Sequence, residues 1–107
     1  MLYLILASVI SLTINPKTCF EPCSFALVLK VEEAKGNEKV VIEVDGENYY
    51  HKSDLDYSNG GPKTLRLLYQ EVPAGNYAIT VTLHRRDGKT WVAGTARGVL
   101  TVIGIEE

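Results

Sequence analysis

The chain has little that would carry chemistry. It holds two cysteines, two histidines, one methionine and one tryptophan in 107 residues. His51 and His84 are the whole supply of imidazole general bases. Each reads most simply as an exposed strand residue. No nucleophile elbow, Walker loop, dinucleotide fingerprint or zinc-binding helix occurs in the sequence. Those absences argue against an enzyme built on any of these motifs. No catalytic residue, no metal and no cofactor is expected.

Charge of one sign is also missing. Eleven Lys and Arg stand against 13 Asp and Glu, for a formal net charge of -2. The basic residues never cluster beyond Arg85-Arg86, which excludes a strongly basic nucleic-acid binder. It also gives no long-range steering toward a polyanion or an acidic membrane surface. No apolar run approaches the roughly 20 residues of a membrane-spanning helix. The longest, Leu2 to Ile14, is broken by Ser8, Ser11 and Thr13. Its first part reads as the end of a secretory h-region with Ala7-Ser8 near a cleavage point, although no Lys or Arg precedes it. Met1 to Ser8 is therefore expected to be a signal remnant or lead-in, and residues 9–105 the domain. Helical periodicity is absent too: nowhere do apolar residues recur at helical spacing over three turns.

What is present is alternation. Val72-Pro73-Ala74-Gly75-Asn76 makes a turn, and Tyr77, Ile79, Val81 and Leu83 then point one way while Ala78, Thr80 and Thr82 point the other. The same period of two marks Ile10–Ile14, Phe25–Val31, Val40–Val44, a shorter strand near Asn48–His51, Leu65–Tyr69 and a last strand from about Thr90 to Ile103. In that last strand Ala96, Gly98, Leu100 and Val102 are predicted inward, with Gly94 and Gly98 marking bulges or a close backbone approach. Asp45-Gly46 and Arg86-Asp87-Gly88-Lys89 are turns, and Glu32–Lys39 is a polar connection. Ser53–Lys63 reads as a long loop crossing between sheets. About seven short strands at this spacing predict an all-β, two-sheet antiparallel sandwich.

Cys19 and Cys23 flank a proline in one loop. A disulfide, two free thiols and half a metal site all fit two cysteines at this separation. A disulfide is expected, since zinc wants four ligands and only two distant histidines remain. It implies an oxidising compartment. Tyr49, Tyr50, Tyr57 and Trp91 are candidate ligand-binding aromatics, able to stack on a sugar or anchor a protein. Two of them are adjacent on a strand and point to opposite faces, so core packing competes with this reading. Asp54, Asp56, Asn59 and Gly60 place oxygen ligands near calcium-loop spacing, but the glycine falls one place late and Leu65 stands where the bidentate Glu belongs.

The segment Ser11-Leu12-Thr13-Ile14-Asn15-Pro16-Lys17-Thr18, followed by Pro22 and an alternating strand, resembles the opening of bacterial immunoglobulin-like and PKD-type domains. Pro73-Ala74-Gly75-Asn76-Tyr77 is similar to the corner before the penultimate strand of fibronectin type III domains. The resemblance implies an immunoglobulin-like sandwich, with Tyr77 as a corner tyrosine whose ring is buried and whose hydroxyl bonds upstream backbone. The chain departs from antibody-type domains: its cysteines share one loop, and Trp91 lies in or near the final strand. Such domains serve as spacers, adhesive modules or accessory domains of exported proteins. The expected function is a non-catalytic extracytoplasmic interaction, adhesion or spacer module, with a protein or cell-surface glycan as partner. A carbohydrate- or calcium-binding accessory module is the alternative. A second is a filament subunit whose apolar residues 1–14 complete a neighbour's sheet.

Overall fold

A computed structural model describes residues 9–104. The expected leader, residues 1–8, lies outside the described residues. Eight strands are formed: β1 Ile10–Asn15, β2 Thr18–Phe20, β3 Cys23–Val31, β4 Asn37–Asp45, β5 Tyr50–Asp56, β6 Thr64–Val72, β7 Gly75–Asp87 and β8 Lys89–Ile103. They make a three-stranded sheet in the order β1-β3-β6 and a five-stranded sheet in the order β2-β8-β7-β4-β5. The fold is a two-sheet, immunoglobulin-like sandwich. The chain changes sheet after β1, β2, β3, β5 and β6; only the β4–β5 and β7–β8 connections stay within one sheet.

Period-two burial builds that core. Phe25, Leu27, Leu29 and Val31 of β3 and Ile10 and Ile14 of β1 face Val40, Ile42 and Val44 of β4, Tyr77, Ile79, Val81 and Leu83 of β7, and Leu100 and Val102 of β8. Seven of these branched aliphatic side chains on β4, β7 and β8 are wholly inaccessible. Each contributes about 1.5–3 kcal/mol by leaving water. Phe25 and Tyr69 stack at 5.0 Å between ring centroids and extend the packed layer to β6.

The last strand turns as predicted at Gly88 (φ 76°), and its glycines are sites of close approach. A Cβ at Gly94 would lie 2.2 Å from Val9 Cγ2, and one at Gly98 2.6 Å from Ile14 Cδ1. β1 thus packs onto β8 where β8 has no side chains. A register shift between Leu83 and His84 supplies the bulge.

Four expectations change. The seventh-strand count becomes eight, because β2 was invisible: three residues between two prolines cannot show alternation. β2 also runs parallel to β8, so the five-stranded sheet is not wholly antiparallel. The fourth strand begins later and runs on through Asp56, so Ser53–Asp56 is strand and the crossover shrinks to residues 57–63. Its acidic composition suggested a loop, yet its alternation is intact, with Ser53 and Leu55 opposite Ile42 and Val40. Finally, Ile10–Ile14 pairs with β3 along its whole length, so this part of the proposed donor segment completes its own sheet.

Gly46, in the β4–β5 turn, lies under the ring of Tyr77: a Cβ there would meet Tyr77 Cδ1 and Cε1 at 2.4 Å. The ring is fully enclosed and has nowhere to go. Gly46→Ala is expected to destabilise by about 1–3 kcal/mol, read as a lowered urea midpoint at unchanged m-value.

Candidate functional site

The four candidate aromatics are divided among two ends of the five-stranded sheet. Tyr49 and Tyr50 stand beside the Asp45 end of β4. Tyr49 packs edge-on to Tyr77, with ring centroids 6.0 Å apart and planes at 80°. Tyr50 is exposed, and its hydroxyl donates to Glu43 Oε2 at 2.5 Å. That bond to a carboxylate, and then slight burial, push its phenol up. Tyr57 and Trp91 stand at the Asn37 end, about 23 Å from Tyr50 along an extended strand. Tyr57 is only 4% exposed; it covers Gly61 and donates to the Pro62 carbonyl at 3.0 Å. Trp91, opposite Arg85 in the β7–β8 ladder, is 48% exposed and lines a cleft of about 410 Å³ with Lys35, Arg86 and Asp87.

Cys19 and Cys23 are joined in a disulfide, with α-carbons 5.9 Å apart. It ties β2, on the five-stranded sheet, to the start of β3 on the other. Tyr77 takes the place the corner resemblance implies. It is 1% exposed, and its hydroxyl donates to the Pro73 carbonyl.

His51 faces inward at the open edge between β5 and β6. Its ring meets Tyr69 edge to face at 5.5 Å. Ser53 Oγ lies 3.4 Å from His51 Nδ1, beyond the roughly 2.6–3.2 Å reach of a nucleophile and its base. His84 stands opposite Lys39 and Val92 in the ladder. Asp54 and Asp56 sit on the outward face of β5. Asp56 Oδ1 accepts from the Ser58 Oγ–H and N–H at 2.6 and 2.8 Å, and these bonds hold its carboxyl below the usual range. Among the described residues, no three His, Cys, Asp or Glu side chains converge as a metal site would require.

Two features had no assigned role from sequence. Asn37, read from sequence as part of the polar connection, opens β4 and is buried. Its amide donates to the Glu32 carbonyl at 2.8 Å and its Oδ1 accepts from Arg85 Nε at 2.8 Å, while Arg85 Nη2 reaches Glu32 Oε1 at 3.1 Å. The other is an apolar patch on the outer face: Phe20 and Val99 are each 63% exposed and Ile103 40%. Phe20 and Ile103 are register partners, and Val99 lies on the same face of β8. The signal was present, since Val99 falls at an outward strand position.

A scan of protein-family models and a search of curated proteins gave no match to the chain. Among solved structures it is similar to the CARDB domain of a Pyrococcus furiosus protein, crystallised in complex with di-metal ions. The two superpose with a TM-score of 0.49 at 14% identity, covering 92% of this chain and 93% of that one. No helix among the described residues is long and apolar enough to cross a membrane.

Asn37→Ala removes the acceptor for Arg85 and leaves the Glu32 carbonyl without its amide donor. A loss of about 1–3 kcal/mol in urea unfolding is expected. Burial pushes the phenols of Tyr57, Tyr69 and Tyr77 above their ordinary value of 10.0. A raised pKa means the fold favours the neutral phenol. That contribution is whole below pH 10 and is lost as pH climbs through 10 and beyond. The urea midpoint should therefore hold on approach to pH 10 from below and fall above it.

Proposed function

We propose that the chain is an extracytoplasmic, non-catalytic contact or spacer module. The observation that supports this most is the outward patch of Phe20, Val99 and Ile103. A solvated sheet face normally carries polar side chains, and exposed apolar clusters mark contact surfaces. Burying such side chains against a partner returns roughly 1.5–3 kcal/mol each. The disulfide supports the compartment, because thiols four residues apart in a reducing cytosol would stay open.

A second reading, an accessory module that binds carbohydrate, is favoured by the half-exposed Trp91 over its cleft with Lys35 and Arg86. An aromatic face beside cations suits an acidic sugar. A glycan array separates the two: binding that Trp91→Ala abolishes would favour the sugar module.

Phe20→Ser combined with Val99→Ser is expected to change stability by no more than about 0.5 kcal/mol, since neither side chain is in the core. In the producing cell, a photo-crosslinker at position 99 should couple the protein to another exported protein, and Phe20→Ser should remove that product. A crosslinker that stays uncoupled in otherwise unaltered protein would remove the contact reading. Both cysteines should resist thiol labelling until a reductant is added; prompt labelling of freshly isolated protein would remove the extracytoplasmic one.

A further inference from the structure

β5 is the outer strand of the five-stranded sheet, with β4 on one side and, among the described residues, no strand on the other. Its backbone polarity follows from the ladder. Gly46 N–H bonds Tyr49 O at one end, and Tyr57 N–H bonds Glu38 O at the other, in the same unbroken register. Odd-numbered residues of β5 therefore spend their N–H and C=O on β4. The even-numbered ones, Tyr50, Lys52, Asp54 and Asp56, turn theirs to the free edge. The same four side chains lie on the outer face, because His51, Ser53 and Leu55 stand opposite the buried Val44, Ile42 and Val40.

We infer that this edge pairs with β5 of a second copy, antiparallel about a two-fold axis at Ser53. Charge complementarity selects the partner and the register. A two-fold axis normal to the sheet keeps outer faces together, so the two opposed residues must have equal parity. Centring on Lys52 sets it against itself, and centring on Asp54 does the same to that residue. Centring one step further, on Leu55, opposes Asp54 to Asp56. Centring on Ser53 puts Lys52 opposite Asp54 in both directions, and Tyr50 opposite Asp56, with no like charges across the axis. Lys52 then lies between Glu43 of its own chain and Asp54 of the second copy. The edge-facing N–H and C=O of Lys52 and Asp54 meet as hydrogen-bonded pairs. On the inner side Ser53 meets Ser53 and His51 meets Leu55, so no carboxylate or ammonium is driven inward. The clefts of about 320 Å³ between β5 and β6, lined by Leu55, Leu67 and Tyr69, come side by side.

The other edges lack this pattern: β6, the outer strand of the three-stranded sheet, turns Thr64, Arg66, Leu68 and Gln70 outward, with one cation and no acid among them. β1 presents Ser11, Thr13 and Asn15, and the part of β8 beyond β2 carries Lys89 and Arg97 with no acid. No copy placed there would set an acid against a base. The inference stands apart from the contact-module proposal, because β5 and the Phe20 patch are at opposite edges of one sheet.

Sedimentation velocity over a concentration series at low salt tests it. The protein is expected to self-associate to a dimer as concentration rises. Asp54→Lys, which faces only Val41 within its own sheet, should weaken association roughly tenfold or more. Lys52→Asp should do the same. An equimolar mixture of the two variants should associate again, because each cross-pair is then Asp against Lys. The double variant Lys52→Asp, Asp54→Lys should dimerise by itself. Circular dichroism and melting of each variant establish that it is folded; if Lys52→Asp fails that check, the Asp54→Lys variant and the double variant decide. A wild-type protein that stays monomeric up to roughly millimolar concentration, or single variants that associate like the wild type, would overturn the inference. So would a folded mixture or double variant that fails to recover.

Discussion

Everything in this molecule hangs on the closure of two inner faces over one another at the corner held by Tyr77. Its ring covers Gly46, meets Tyr49 edge-on, and sits in the core; its hydroxyl reaches back to Pro73. That one side chain ties the β6–β7 corner to the β4–β5 turn. The aliphatic layer does most of the energetic work, but it is non-directional. The tyrosine and the glycine beneath it set which residues face which.

The two open sides of the sandwich are treated differently. On one, β1 leans onto β8 through Gly94 and Gly98, β2 joins the end of β8, and the disulfide links β2 to β3. On the other, β5 and β6 leave a cleft with His51 and Tyr69 at its mouth. An edge with spare backbone groups is a liability unless it is blocked or used. The first side is blocked by covalent and steric means. The second carries alternating charge and no steric block, which is why it is the side where self-recognition is read.

Buried polar groups tell the same story of economy. Asn37 is enclosed, yet each of its polar atoms has a partner, and Arg85 is held in turn by Glu32. This network staples the start of β4 to the end of β7 and to the chain leaving β3. A solvated connection would leave that end of the sandwich free to open. The polar side chains that sequence offers as ligands are mostly spent in this way: Tyr57 on Pro62, Asp56 on Ser58, Tyr50 on Glu43.

The amino-acid order alone determined the strands with long alternation, the turns at Asp45-Gly46 and Gly88 and the inward set of β8; for the two nearby cysteines it left a disulfide as one of three readings. Those are local properties, since side-chain period and turn chemistry act within a few residues. Only the tertiary structure decided that Ser53–Asp56 is strand, that Thr18–Phe20 lies parallel to β8, and that Tyr49, Tyr50, Tyr57 and Trp91 fall at two separate ends. It also decided that Asn37 is buried and Phe20 is not. Each depends on which distant strand lies alongside, and neighbour choice across a sheet is set by the summed burial of both faces, which no short window of sequence contains.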